Sequence, residues 1–142
     1  MSANKKAVDL DIKVKLSTLW IVVMFTMAFA DILSFITPGV LKEMMSGYAG
    51  AMRITRGILL LFAVLLEIPI AMIFLSRVLN YKANRLANIA AAVITILFVV
   101  GGGSPHPHYI FFAAVEVACM ALIVFFAVKW SDPEGEVKNI EG

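Results

Sequence analysis

Asp31, Glu67 and Glu116 are the residues of this chain best placed to do chemistry, because each carboxyl lies inside a long apolar run. A charged side chain at the centre of an inserted helix costs about 2.5–3.5 kcal/mol on insertion scales. Three such groups imply partners or a task. A carboxyl without a partner at that depth is expected to be neutral, able to donate a hydrogen bond or carry a proton. Two candidate charge partners, Arg53 and Arg56, precede the apolar run that holds Glu67, and either is expected to reach Asp31. Asn88 and Thr95 add hydrogen-bonding capacity on another apolar run. Asp31, Glu67, Glu116, Asn88 and Thr95 are therefore the candidate ligand or proton sites, and no catalytic residue is assigned.

These residues need elements to hold them, and composition fixes the solvent. Of 142 residues, 61% are hydrophobic and 15% are charged, and mean hydropathy is +0.92. Soluble domains run near 45–50% apolar and about 25% charged. Four segments have the roughly 20 apolar residues that a bilayer crossing requires: residues 16–37, 56–79, 84–103 and 109–130. Backbone groups in lipid must be satisfied within the segment, so all four are expected to be helices. The fold class that follows is all-α, an integral membrane four-helix bundle spanning residues 16–130. Residues 1–15 form an N-terminal arm and residues 131–142 a polar tail.

Basic residues set the orientation. Lys5, Lys6, Lys13, Lys15, Arg77, Lys82, Arg85, Lys129 and Lys138 share one side, against Lys42, Arg53 and Arg56 on the other. Both termini are expected in the cytoplasm, with the protein in the cytoplasmic membrane. Ala28-Phe29-Ala30 resembles a leader cleavage site, but Asp9 and Asp11 precede it and the apolar pattern continues through Ile36. A membrane span is the preferred reading. In the arm, Val8 to Lys15 alternates apolar and charged residues, a period that suggests extended chain.

Spacing also predicts faces. Met24, Met27, Asp31 and Ser34 share one stripe of the first span, and Ala63, Glu67 and Ala71 one of the second. Asn84, Asn88, Ala91 and Thr95 do so on the third, and Ala113, Glu116 and Cys119 on the fourth. Each stripe suits a bundle interior better than lipid. Pro69, two residues beyond Glu67, is expected to kink its helix. The outer loop predicts a short helix over Val40–Met45 and an N-cap at Thr55. Phe62-Ala63-Val64-Leu65-Leu66-Glu67 echoes Phe112-Ala113-Ala114-Val115-Glu116, as two parallel-related hairpins would.

Other chemistries have little support. His106 and His108 lie in a proline-bounded loop, so they are weak metal candidates, expected to be exposed. Cys119 is a lone cysteine and reads as a small buried side chain. No phosphate loop, nucleophilic triad, cofactor motif or nucleic-acid patch is present, and no cofactor is expected.

The chain resembles a family of small prokaryotic four-helix membrane proteins classed as a domain of unknown function. The likeness rests on Leu16-Ser17-Thr18-Leu19-Trp20, Asp31-Ile32-Leu33-Ser34, Glu67-Ile68-Pro69-Ile70-Ala71-Met72 and Ser76-Arg77-Val78-Leu79. It continues through Asn84-Arg85, Asn88, Gly101–Gly103, His108-Tyr109 and Glu116. The layout is similar to that of DoxX-like proteins, a likeness of architecture that carries no function. The reading favoured by the residues is small-solute or cation binding and transport through a carboxylate-lined pocket. The alternatives are an accessory subunit of a membrane redox complex and an intramembrane enzyme acting on a lipid or quinone. The expected partners are the lipid bilayer and a homodimer or larger membrane complex.

Overall fold

The computed structural model describes residues 3–131; the expected C-terminal tail lies almost wholly outside them. Among the described residues the elements run α1 (Ala3–Ile36), α2 (Val40–Met45), β1 (Tyr48–Ala49), β2 (Met52–Arg53), α3 (Arg56–Val78), α4 (Tyr81–Gly101) and α5 (Pro107–Lys129). The helices α1, α3, α4 and α5 are long and apolar enough to cross a membrane. They pack as a ring in which α1 touches α3 and α5, and α4 closes the circle between the same two helices. Short connections make successive spans antiparallel.

The helix boundaries have local causes. The Thr55 side chain accepts a hydrogen bond from the Ile58 N–H and caps α3, and the Asn80 side chain caps α4 through the Ala83 N–H. Pro107 opens α5, where its missing N–H costs nothing. Gly101 ends α4, and Gly102 caps it.

The arm is helical, not extended. α1 runs unbroken from Ala3. The alternation of charge that suggests a strand also places Asp9 four residues before Lys13, and Asp11 four before Lys15. Both pairs form ion pairs, at 3.4 Å and 2.5 Å. An acid four residues ahead of a lysine supports a helix.

The two ends of the bundle differ. At the α3–α4 turn, Leu16, Trp20, Met120, Ile123 and Ala127 are fully buried and Trp130 nearly so. A polar network ties three helices there. The Trp20 Nε1–H donates to Asn88 Oδ1 at 2.7 Å, and the Ser76 hydroxyl donates to the same oxygen at 3.1 Å. The Asn88 amide donates to the Asn84 carbonyl at 2.9 Å and to Asn84 Oδ1 at 2.6 Å. The Asn84 amide donates to the Ser76 carbonyl at 2.8 Å, and the Ser17 hydroxyl to the Ile73 carbonyl at 2.8 Å. The Tyr81 hydroxyl donates to the Trp130 carbonyl at 2.8 Å. This end is packed and its polar groups are used up.

The opposite end is covered by the loop between α1 and α3. Gly39, at φ 90°, turns the chain into α2, a left-handed conformation that disfavours a side chain. A two-residue turn at Gly50-Ala51 then joins β1 to β2, with Ala49 paired to Met52 and Tyr48 to Arg53. Gly50 supplies the positive φ this turn requires. The short helix is as the sequence suggests; the β-hairpin is additional.

Candidate functional site

Beneath α2 and the β-hairpin lies a cavity of about 470 Å³, within the usual range of small-molecule sites. Its floor and walls come from all four spanning helices. α1 contributes Met27, Ala30, Asp31 and Ser34; α3 contributes Phe62 and Leu66; α4 contributes Phe98 and Val99; α5 contributes Tyr109 and Glu116. The cover adds Val40, Glu43, Met44 and Met52, and the α4–α5 loop adds Ser104 and His106.

Glu116 is the most buried polar group lining the cavity, with 3% of its surface exposed. It shares the inner face of α5 with Met120, Ile123 and Ala127, at spacings of three and four. Asp31 follows Ala30 on α1, beside the buried row Leu16, Trp20, Val23, Met27 and Ala30. That offset leaves it outside the packed core and open to the cavity.

Among the described residues, the hydrogen bonds around the site leave both acids without a donor. The Ser34 hydroxyl donates to the Ala30 carbonyl, the Tyr109 hydroxyl donates to the Val99 carbonyl at 3.0 Å, and Ser104 Oγ pairs with His106 Nδ1. None of these ends on Asp31 or Glu116. Among the described residues the ion pairs are those of Asp9 and Asp11 in the arm. Three carboxyls line the cavity, buried Glu116 and the more exposed Asp31 and Glu43, and such a cluster favours a cation or a proton among them. Phe62, Phe98 and Tyr109 line the same cavity, and a cation placed over such a ring is attracted to it.

The sequence candidates separate on this geometry. Asp31 and Glu116 come together; Glu67 does not join them. It is exposed on the outside of the bundle. The buried row of α3 is Pro69, Met72 and Ser76. At about 100° per residue, Glu67 sits roughly 160° round the helix from Pro69 and 140° from Met72. The stripe of Ala63, Glu67 and Ala71 therefore faces away from the interior that the spacing suggested. Pro69 is buried within an uninterrupted α3 and does not line the cavity.

Asn88 is committed to the network at the packed end. Thr95 is buried at 2% exposure, and its hydroxyl has no hydrogen-bond partner. Arg53 lies in β2 and Arg56 at the start of α3, both exposed, and neither lines the cavity or pairs with Asp31 within 4.0 Å. The ladder that pairs Arg53 with Tyr48 holds it in the hairpin.

The histidines are half-buried, not exposed. His106 lines the cavity, while His108 Nε2 is buried without a partner. Among the described residues, no three of the His, Cys, Asp and Glu side chains converge to hold a metal. Tyr109, which is not among the candidates drawn from the sequence, is part of the site. Its position seven residues before Glu116, two turns along one helix face, is the signal that could have found it.

No curated protein and no solved structure matches the chain, so the architectural likeness to DoxX-like proteins gains no counterpart. The model of the family described as a family of unknown function (DUF6326) matches residues 7–136. This match takes in the arm from residue 7 onward and all four membrane-spanning segments, and the chain belongs to that family.

Proposed function

We propose that the chain binds a small organic cation in the cavity between Asp31 and Glu116, as the recognition step of solute transport. The observation that carries this reading is Glu116. It is almost fully buried, receives no donor from the surrounding helices among the described residues, and opens onto the same cavity as Asp31 and Glu43. A structural carboxyl used to join helices would be expected to hold a hydrogen-bond partner, as Asn88 does.

The apolar walls suit a ligand with a hydrocarbon or aromatic body, and the acids suit a positive charge on it. The lysine and arginine bias supports placing the cavity on the outer side of the cytoplasmic membrane, with both termini inside. The packed end opposes free passage, so transport requires that end to loosen or a further subunit to complete the path. A homodimer or a larger membrane complex fits that need.

The test is uptake of radiolabelled benzylammonium into proteoliposomes containing the full chain. Uptake that falls at least tenfold with Glu116→Gln supports transport through this site. Uptake equal to that of protein-free liposomes, or unchanged by Glu116→Gln and Asp31→Asn, removes it.

A further inference from the structure

The unused acid is the most informative feature left on the molecule. Glu67 is the twelfth residue of the 23-residue α3, which puts it about 16 Å from either end of the span. It is exposed there, between Val64 at 56% and Ile70 at 43% exposure. α3 is also the span least covered by its own bundle: 11% of its most apolar stretch is buried, against 28%, 33% and 22% for α1, α4 and α5. The outward faces of the other spans are different. Phe25 and Phe29 on α1, Val93 and Leu97 on α4, and Phe111 and Leu122 on α5 are apolar and suit acyl chains. Thr26 on α1 already donates to its own helix, at the Val22 carbonyl.

We propose that the α3 face centred on Glu67 is the surface on which a second copy of this chain docks within the membrane, with the two Glu67 side chains meeting at the two-fold axis. Hydrocarbon offers a carboxyl no hydrogen bond. A two-fold axis along the membrane normal keeps every residue at its own depth, so Glu67 on such an axis meets Glu67. A carboxylic acid presents a donor and an acceptor, and two of them facing each other satisfy both. Ala63 and Ala71, one turn to either side, have no bulk to hold the helices apart, which allows the close approach that membrane helix pairs use. The flanking Leu60, Val64, Ile70 and Phe74, all well exposed, supply the apolar contact around the central pair. The self-complementarity of the acid selects a second copy over an unrelated basic partner. This inference does not depend on the ligand reading.

The full chain with Cys119→Ser, reconstituted in lipid vesicles, tests it by two independent readouts. Single cysteines at Ala63, Ala71 and, as a control, Leu97 are oxidised in otherwise native protein. Covalent dimers at Ala63→Cys and Ala71→Cys but not at Leu97→Cys are expected. In a lipid-dilution series read by energy transfer between labelled copies, Glu67→Leu is expected to weaken association about three- to thirtyfold. Glu67→Gln, which keeps a donor and an acceptor, should stay within about threefold of the native chain. Monomers at all dilutions, equal cross-linking at Leu97→Cys, or dimerisation unchanged by Glu67→Leu would overturn the proposal. So would a purified chain that is monomeric while Glu67→Leu releases a basic partner on isolation. The cross-linking arm retains Glu67 and so reads the interface even where a Glu67 variant fails to insert.

Discussion

Replacing Asn88 by alanine should loosen the packed end of the bundle by a predictable amount. Asn88 is fully buried and its amide makes four hydrogen bonds. Two of them cross between helices: from Trp20 on α1 and from Ser76 on α3. Interhelical hydrogen bonds in membranes average about 0.6 kcal/mol and reach about 1.7. Losing both gives roughly 1–3 kcal/mol on that scale. The Trp20 Nε1–H is then left without an acceptor in a dry interior, which places the value toward the upper end. Ser76 can recover part of its share by turning to its own helix, as Ser34 does toward Ala30. The assay is reversible unfolding in mixed micelles, followed by circular dichroism. A double-mutant cycle with Trp20→Phe isolates the Trp20–Asn88 bond, with an expected coupling of about 0.5–1.7 kcal/mol. Coupling within about 0.3 kcal/mol of zero, below the resolution of such cycles, would refute the claim that this bond ties α1 to α4.

The cavity and its cover make three further predictions. Glu116→Leu should raise unfolding stability by about 1–3 kcal/mol, because it removes a buried polar group with no protein partner. It should abolish cation binding in the same preparation, which unfolding and binding measured side by side would show. Gly39→Ala should cost about 1–2 kcal/mol by forcing a side chain into a left-handed conformation. No atom lies within 4 Å of the added carbon, so the cost is conformational and should appear as faster ligand release from under α2, read by stopped-flow. Lys15→Ala should change stability by less than about 1 kcal/mol, since its pair with Asp11 is exposed and such helix pairs contribute about 0.3–0.5, as thermal unfolding would report.

Much of the architecture was legible because lipid leaves few options. The four apolar runs, the Thr55 cap, the α2 helix and the inward stripes of α4 and α5 follow from hydropathy and spacing. What the sequence does not disclose is rotation about a helix axis. The echo between Phe62–Glu67 and Phe112–Glu116 contains one residue more in the first copy, and one residue is about 100° of turn. That residue carries Glu67 from the inner face to the outer, while Glu116 remains inside. A stripe of small residues suits either a bundle interior or a contact between copies, so composition alone cannot choose between them. The arm misled for a related reason: alternating charges satisfy a period of two and a spacing of four together, and the ion pairs decide for the helix. The β-hairpin that covers the site depends on glycine conformations in a short loop, and a few polar residues around His106 become cavity lining only once α4 and α5 are packed.

The central claim is that Asp31 and Glu116 form a cation site, and calorimetric titration of the full chain in lipid nanodiscs tests it most directly. Benzylammonium, benzyl alcohol and benzoate share a body and differ in charge. Benzylammonium should bind at least tenfold more tightly than the alcohol, with benzoate weakest. Glu116→Gln should remove about ten- to a hundredfold of the cation's affinity, the range for a charged hydrogen bond, and change the alcohol's by less than threefold. Equal affinity for all three probes, or a cation affinity that Glu116→Gln leaves intact, would contradict the account.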